Sequence, residues 1–164
     1  MTRRQINCAL CLLIAAWLAA IPARAADYPI IGDWMIDKAI VAPWAGPNAD
    51  LRRLTAISRQ HLNMIVSFFP DRVVAQDPKL ACASVDYERT LYSPELIFGA
   101  SLPDPDQVEI AAGLGFPSGQ IQGFDVACGG SGVQSYHFAG RDALLFALED
   151  IIYTMDRQPG KAKP

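Results

Sequence analysis

The sequence predicts a mainly β, single-domain protein, built as an antiparallel barrel or barrel-like meander with two short helices. Three observations support this fold class. Runs rich in β-branched and aromatic residues alternate between apolar and polar positions. Glycine, proline and aspartate interrupt these runs at short intervals, as in hairpins. The 164 residues are also few enough for a single hydrophobic core.

The first 25 residues have the features of a cleavable export signal. Arg3 and Arg4 precede an uncharged apolar run over residues 8–21, which is too short to span a bilayer. Small residues at 23 and 25 predict cleavage after Ala25. We therefore expect a signal peptide at 1–25, a β-rich domain at 26–157, a flexible tail at 158–164 and a periplasmic location without a stable membrane anchor.

The predicted mature chain is acidic. The full chain has a net charge of −3, and loss of Arg3, Arg4 and Arg24 with the signal leaves −6 on 139 residues. Nucleic acid and anionic lipid surfaces are poor partners for such a charge, whereas a basic protein of the cell envelope is a favourable one.

The mature chain retains two cysteines, Cys82 and Cys128, because Cys8 and Cys11 belong to the signal. They allow one intramolecular disulfide, which an oxidising compartment favours. Closing this loop removes about 4 kcal/mol of chain freedom from the unfolded state. A redox pair or a metal site would need a Cys-x-x-Cys spacing or nearby histidines, and neither is present.

The strands and helices are predicted in chain order from these patterns. Asn48 followed by apolar residues at helical spacing predicts the first helix, and Asp104-Pro105-Asp106-Gln107 predicts the start of a second one that ends at Gly113. The alternating runs predict strands at 32–42, 63–69, 72–75, 80–83, 85–91, 121–128, 134–138, 143–148 and 151–157.

Gly32-Asp33-Trp34 at the first strand and Arg157 after the last one resemble the calycin barrels, which include the lipocalins. In that family a Gly-x-Trp places the indole across the closed end of the barrel, and an arginine packs over it. The resemblance implies that Trp34 and Arg157 form this structural pair. The two predicted helices depart from the usual lipocalin pattern.

A second, weaker resemblance concerns the loop at residues 131–136. Its Ser-Gly-x-x-x-Tyr sequence is similar to the inhibitory loop of small periplasmic lysozyme inhibitors, although the spacing differs. In those proteins a serine and a tyrosine enter the cleft of the hydrolase. The resemblance implies that Ser131 and Tyr136 contact a partner.

Other candidate binding residues are the aromatic side chains in or beside connections: Trp44, Tyr92, Phe98 and Phe116. Exposed aromatics often anchor recognition surfaces, but these side chains could instead cap the mouth of the barrel. His61 and His137 are too few and too far apart in sequence to predict a zinc site. Ser131 near His137 lacks the second glycine of a nucleophile elbow.

The sequence thus favours a non-enzymatic periplasmic binding protein without metal or cofactor. It would act as the inhibitor of, or immunity protein against, a basic cell-wall hydrolase. The alternative is a lipocalin-like carrier of a small apolar ligand. A hydrolase that uses Ser131 and His137 is a third hypothesis.

Overall fold

The computed structural model describes residues 29–129 and 132–160. The predicted signal at 1–25, Ser131 and residues 161–164 of the predicted tail lie outside the described residues. The described chain forms an eight-stranded antiparallel sheet that curls into a nearly closed barrel, which confirms the mainly β fold. The strands are β1 (Gly32–Val41), β2 (Ile65–Phe68), β3 (Val73–Val74), β4 (Val85–Tyr92), β5 (Ile121–Cys128), β6 (Val133–Phe138), β7 (Ala143–Leu148) and β8 (Ile151–Arg157). The helices are α1 (Leu51–His61), α2 (Gln107–Gly113) and a 3₁₀ segment (Pro94–Gly99).

The strand order β3-β2-β1-β8-β7-β6-β5-β4 leaves β3 and β4 at the two edges. Two contacts, one before β4 and one at its first residue, join these edges. Val73 pairs with Cys82, and the Val85 amide donates to the Asp71 carbonyl over 3.2 Å. The predicted disulfide is present and ties Cys82 to Cys128 at the end of β5. The expected strand at 80–83 is reduced to this single bridge, because the chain crosses from one edge to the other there.

Large side chains fill the interior of the barrel. Alternation along each strand directs one set of residues inward, as the strand period requires. The largest side chains that are fully buried include Trp34, Phe68, Phe124, Phe146 and Tyr153. Ring contacts in this core include edge-to-face pairs, such as Phe68 with Tyr136, and a stacked pair, Phe146 with Tyr153, at 5.1 Å between centroids.

Trp34 and Arg157 are in contact at one end of the barrel. The Arg157 guanidinium lies 4.2 Å from the centre of the Trp34 ring, a favourable cation–π distance. The Trp34 indole N–H donates to the Ile30 carbonyl over 2.7 Å. Arg157 also donates to the carbonyls of Ile31 and Pro29. The chain before β1 is thereby fixed across this end.

Helix α1 covers the opposite end. Leu54 on its inner face joins the interior core and is 1 % exposed. At the end of α1, His61 is hydrogen-bonded through Nδ1 to the Tyr153 hydroxyl (2.8 Å) and through Nε2 to the Asp77 carboxylate (2.6 Å). Burial raises the pKa of Asp77, but the hydrogen bonds from His61 and from the Lys79 amide, together with the charges of these two residues, outweigh burial, and the pKa is lowered. His61 is thus a fully bonded structural group.

The start of α1 differs from the prediction. Asp50, not Asn48, is the N-cap, and its carboxylate accepts from the amides of Arg52 (3.1 Å) and Arg53 (3.0 Å). The helix begins directly after Asp50, so this carboxylate is the one within reach of the free amides.

The bounds of α2 also differ. The helix begins at Gln107, and the Gln107 side-chain amide donates to the Asp104 carboxylate over 3.2 Å. Asp104 is thus occupied by a side chain and caps no backbone amide there. Gly113 is the last helical residue and is not in the left-handed region, because the chain continues through Leu114 in a right-handed conformation.

Candidate functional site

A second hydrophobic cluster lies outside the barrel. Leu145 of β7 and Ile152 of β8 point away from the interior, and Ile97, Phe98 and Phe116 pack over this outer face. The connection from β4 to β5, which contains the 3₁₀ segment and α2, is therefore a cover on the barrel wall.

The predicted loop aromatics belong mainly to this cover. Phe98 and Phe116 are only 8 % and 5 % exposed, so the expectation of exposed anchors is wrong for both. Trp44 is half-buried with its ring 5.7 Å from that of Phe98. These side chains pack on the outer wall and not at the mouth, because β5 to β8 present apolar residues on that face.

Tyr136 points into the barrel and is 2 % exposed. Its ring packs against Phe68 at 5.1 Å and Phe146 at 5.3 Å. In this position it cannot enter the cleft of a partner, contrary to the expectation from the lysozyme-inhibitor resemblance. Ser131, the other residue of that expectation, lies outside the described residues.

Asp125 of β5 is the centre of a polar cluster on the outer face. Its carboxylate accepts hydrogen bonds from the hydroxyls of Ser135 (2.5 Å), Tyr92 (2.5 Å) and Thr90 (3.1 Å). Burial raises the pKa of Asp125, but these bonds outweigh it and the pKa is lowered. Asp125 is therefore held as a carboxylate by hydroxyls from the two neighbouring strands, β4 and β6.

Gly123 makes room for the Tyr92 ring. A Cβ at Gly123 would lie 2.7 Å from Tyr92 Cε2 and 2.6 Å from the Tyr136 carbonyl oxygen. Glycine lets Tyr92 lie flat on β5, with its hydroxyl reaching Asp125. Burial first, and then the bond to Asp125, raise the pKa of Tyr92, so its hydroxyl remains a donor at neutral pH.

Three carboxylates lie together on this face. Glu88 is directly opposite Asp125 in the β4–β5 pair, and Asp86 lies two residues before Glu88 on the same face. With Ala127 and Val133 they line a shallow groove of about 210 Å³. Like charges placed opposite each other destabilise a sheet. Among residues 29–129 and 132–160, no ion pair offsets the charges of these carboxylates.

His137 of β6 is buried beside this cluster. Its Nε2 accepts from the Phe98 amide over 3.1 Å, and its ring lies 4.5 Å from that of Tyr92 and 5.1 Å from that of Phe98. Nδ1 has no hydrogen-bond partner within the described chain. Burial lowers the pKa of His137 to about 4, although the Asp125 carboxylate opposes the shift. His137 is thus neutral at pH 7 and holds the cover in place.

The described residues contain no group of three or more His, Cys, Asp or Glu side chains arranged to hold a metal ion. Within the same part of the chain, no helix is long and apolar enough to cross a membrane. The acidic residues of the site were not identified from the sequence. The available signal was the alternation along β4, which places Asp86 and Glu88 on one face. That Asp125 lies opposite Glu88 depends on strand register, which the alternation does not give.

Comparisons with protein-family models, with curated proteins and with solved structures find no match.

Proposed function

We propose that this protein is a non-enzymatic binding protein of the periplasm that engages a basic protein partner through the acidic groove formed by Asp86, Glu88 and Asp125. The carrying observation is that these carboxylates share one exposed sheet face without a cationic partner among the described residues. Such a potential accelerates encounter with a positively charged surface and fixes its orientation.

The same groups are poorly placed for acid–base catalysis. The Asp125 carboxylate is occupied by hydroxyl donors from Thr90, Tyr92 and Ser135. His137 is completely buried beneath Phe98. A general acid or base must reach the proton that it transfers. These contacts favour recognition over chemistry at this face and weigh against a hydrolase based on His137.

The proposed target is a basic peptidoglycan-cleaving enzyme, which this chain would inhibit or against which it would confer immunity. The predicted signal peptide would bring this chain to the compartment in which peptidoglycan-cleaving enzymes act. The resemblance of residues 131–136 to lysozyme inhibitors suggests the target class. The proposed contact surface is the acidic groove and not Tyr136, which packs in the interior.

Binding and inhibition of hen egg-white lysozyme and a panel of basic cell-wall hydrolases test this proposal. We expect D86N/E88Q to weaken the affinity about tenfold at low salt, mainly through slower association. The matched control is D37N/D156N, which removes the same charge from exposed residues of β1 and β8. Equal losses for the two double variants, or no binding to any hydrolase in the panel, would contradict the proposal.

The lipocalin-like carrier is the second candidate, and one observation favours it. A cavity of about 340 Å³ lies beside the disulfide, lined among others by Lys79, Val126, Gln134 and Leu148. Its volume lies at the lower end of the range for small-molecule sites. Native mass spectrometry of protein purified without denaturant discriminates between the two functions: a retained small apolar molecule supports the carrier, and its absence favours the binding protein.

A further inference from the structure

Strand β4 has an open edge. It is the last strand in the sheet order, and its counterpart at the other edge, β3, has only two residues. The bridge at Cys82 and the bond from Val85 to Asp71 lie before and at the start of β4. In the sheet order, β5 is the one strand that lies next to β4.

The register shows which backbone groups point to this edge. The Cys128 amide donates to Gly132, toward β6, so the backbone groups of Asp125 point the other way, toward β4. Glu88, opposite Asp125, consequently bonds to β5, while the amides and carbonyls of Arg89 and Leu91 face outward. Val85 lies four residues before Arg89, so its backbone groups should point to the same side. Its amide does point away from β5, because it donates to the Asp71 carbonyl.

The side chains along this edge are also accessible. Arg89 is exposed, and Leu91 is 57 % exposed. Within the described chain, no hydrogen bond outside the β4–β5 ladder is made by the backbone of Arg89 or Leu91. An extended peptide can pair with such groups and continue the sheet.

We propose that the basic partner adds an extended segment to β4, pairing with Arg89 and Leu91, with basic residues at alternate positions. This inference rests on the proposed function. In an added strand, the side chains on the outer face lie beside Asp86 and Glu88, so lysine or arginine is favoured there. Those on the other face lie beside Arg89 and Leu91, where a further basic residue is disfavoured and apolar residues are favoured. The groove thus selects a segment in which basic and apolar residues alternate.

A second copy of this chain fits the edge less well. A symmetric antiparallel pairing of two β4 strands centred on Glu88 places the two Glu88 side chains opposite each other. A symmetric pairing centred on Arg89 places the two Arg89 side chains opposite each other. Like charges directly opposite destabilise a strand pair. The occupant is therefore a chain of complementary charge.

The test uses synthetic peptides with the full protein, measured by fluorescence anisotropy and by amide exchange in NMR spectra. The probe is a short peptide in which lysine and valine alternate. Its control has the same composition, with the lysines in one block and the valines in another. We expect the alternating peptide to bind about tenfold more tightly and to protect the amides of Arg89 and Leu91 from exchange.

Two changes isolate the backbone contribution. L91P removes an amide that faces the edge, and L91A is its control, which keeps that amide. We expect L91P, but not L91A, to lose the preference for the alternating peptide. If L91P does not fold, the wild-type protein with an alternating peptide N-methylated at every second residue replaces it, and we expect the same loss of preference.

The outcomes separate strand addition from the proposed function. Equal binding of both peptides without protection of Arg89 and Leu91, but with weaker binding to D86N/E88Q, overturns strand addition and leaves the acidic groove as the binding surface. Insensitivity of peptide binding to D86N/E88Q overturns both. Protection that appears without peptide and increases with protein concentration assigns the edge to a second copy and also overturns the inference.

Discussion

Neighbouring residues of β5 lie in very different surroundings, because they point to opposite faces of the strand. Phe124 and Val126 point into the barrel and are 0 % and 2 % exposed, within a core of large rings. Gly123 and Asp125 point outward, where one accommodates a tyrosine ring and the other collects hydroxyl hydrogen bonds. On the inward face, the volume of the side chain decides which residue fits. On the outward face, close contact with Tyr92 and the charge of the side chain decide it. If the proposed function holds, stability depends on one face of this strand and recognition on the other.

The largest expected effect comes from the inward face. Phe124→Ala should lower the free energy of unfolding by about 4 kcal/mol, because it removes a fully buried ring and leaves a cavity. Urea unfolding followed by circular dichroism measures the loss, and Phe124→Leu is a control that should cost less. A loss below about 1 kcal/mol would show that the interior is not packed as described.

The second effect concerns pH and the outward face. The fold favours neutral His137, whose pKa is lowered from 6.5 to about 4, so the stabilisation is complete above pH 6.5 and is lost as the pH falls toward 4. The expected loss is about 3 kcal/mol, from the two pKa values. Asp125 and Tyr92 are the titratable groups that face the ring.

The matched variant for this pH effect is His137→Gln, which retains an acceptor for the Phe98 amide but does not titrate. We subtract the unfolding free energy of the variant from that of the wild type. This difference should decrease as the pH falls from 6.5 toward 4, since all other titrating groups are common to both proteins. A constant difference would contradict the neutral, buried state of His137.

The smallest effect tests the fit of Tyr92 on β5. Gly123→Ala should cost about 2 kcal/mol, because the new methyl group overlaps a backbone carbonyl and the Tyr92 ring. It should also weaken the Tyr92–Asp125 bond and thus reduce binding at the acidic groove. Gly140→Ala is the control, since a Cβ there meets no atom within 4 Å. Thermal unfolding and binding affinity are measured for both variants. Equal losses for Gly123→Ala and Gly140→Ala would show that the Tyr92 ring does not fit closely on β5.

Much of the fold could be predicted because it depends on local patterns. Alternation located β1 and the last four strands, and the pairing of Cys82 with Cys128 followed from their number. The helices were placed correctly but their starts were displaced, because more than one nearby Asn or Asp is a suitable cap and tertiary position selects one. The contact between Trp34 and Arg157 was expected from the resemblance to calycin barrels.

The site itself was only partly predictable. Tyr92 was identified as a candidate, but Asp125, which accepts its hydroxyl hydrogen bond, was not. Phe98 and Phe116 were expected to be exposed or at the mouth, yet they cover the outer wall. A loop sequence does not show which face of a sheet the loop crosses, because that depends on the path of a chain through distant strands.

The sequence by itself determined the barrel class, most strand positions and the disulfide between Cys82 and Cys128. Each follows from short-range periodicity or from residue number. The tertiary structure alone decided that the β4–β5 connection folds over the outer wall, that Glu88 meets Asp125 and that β4 is an edge strand of the sheet. These features depend on register and closure, which bring together residues distant in sequence, and local propensity carries no information about such pairings.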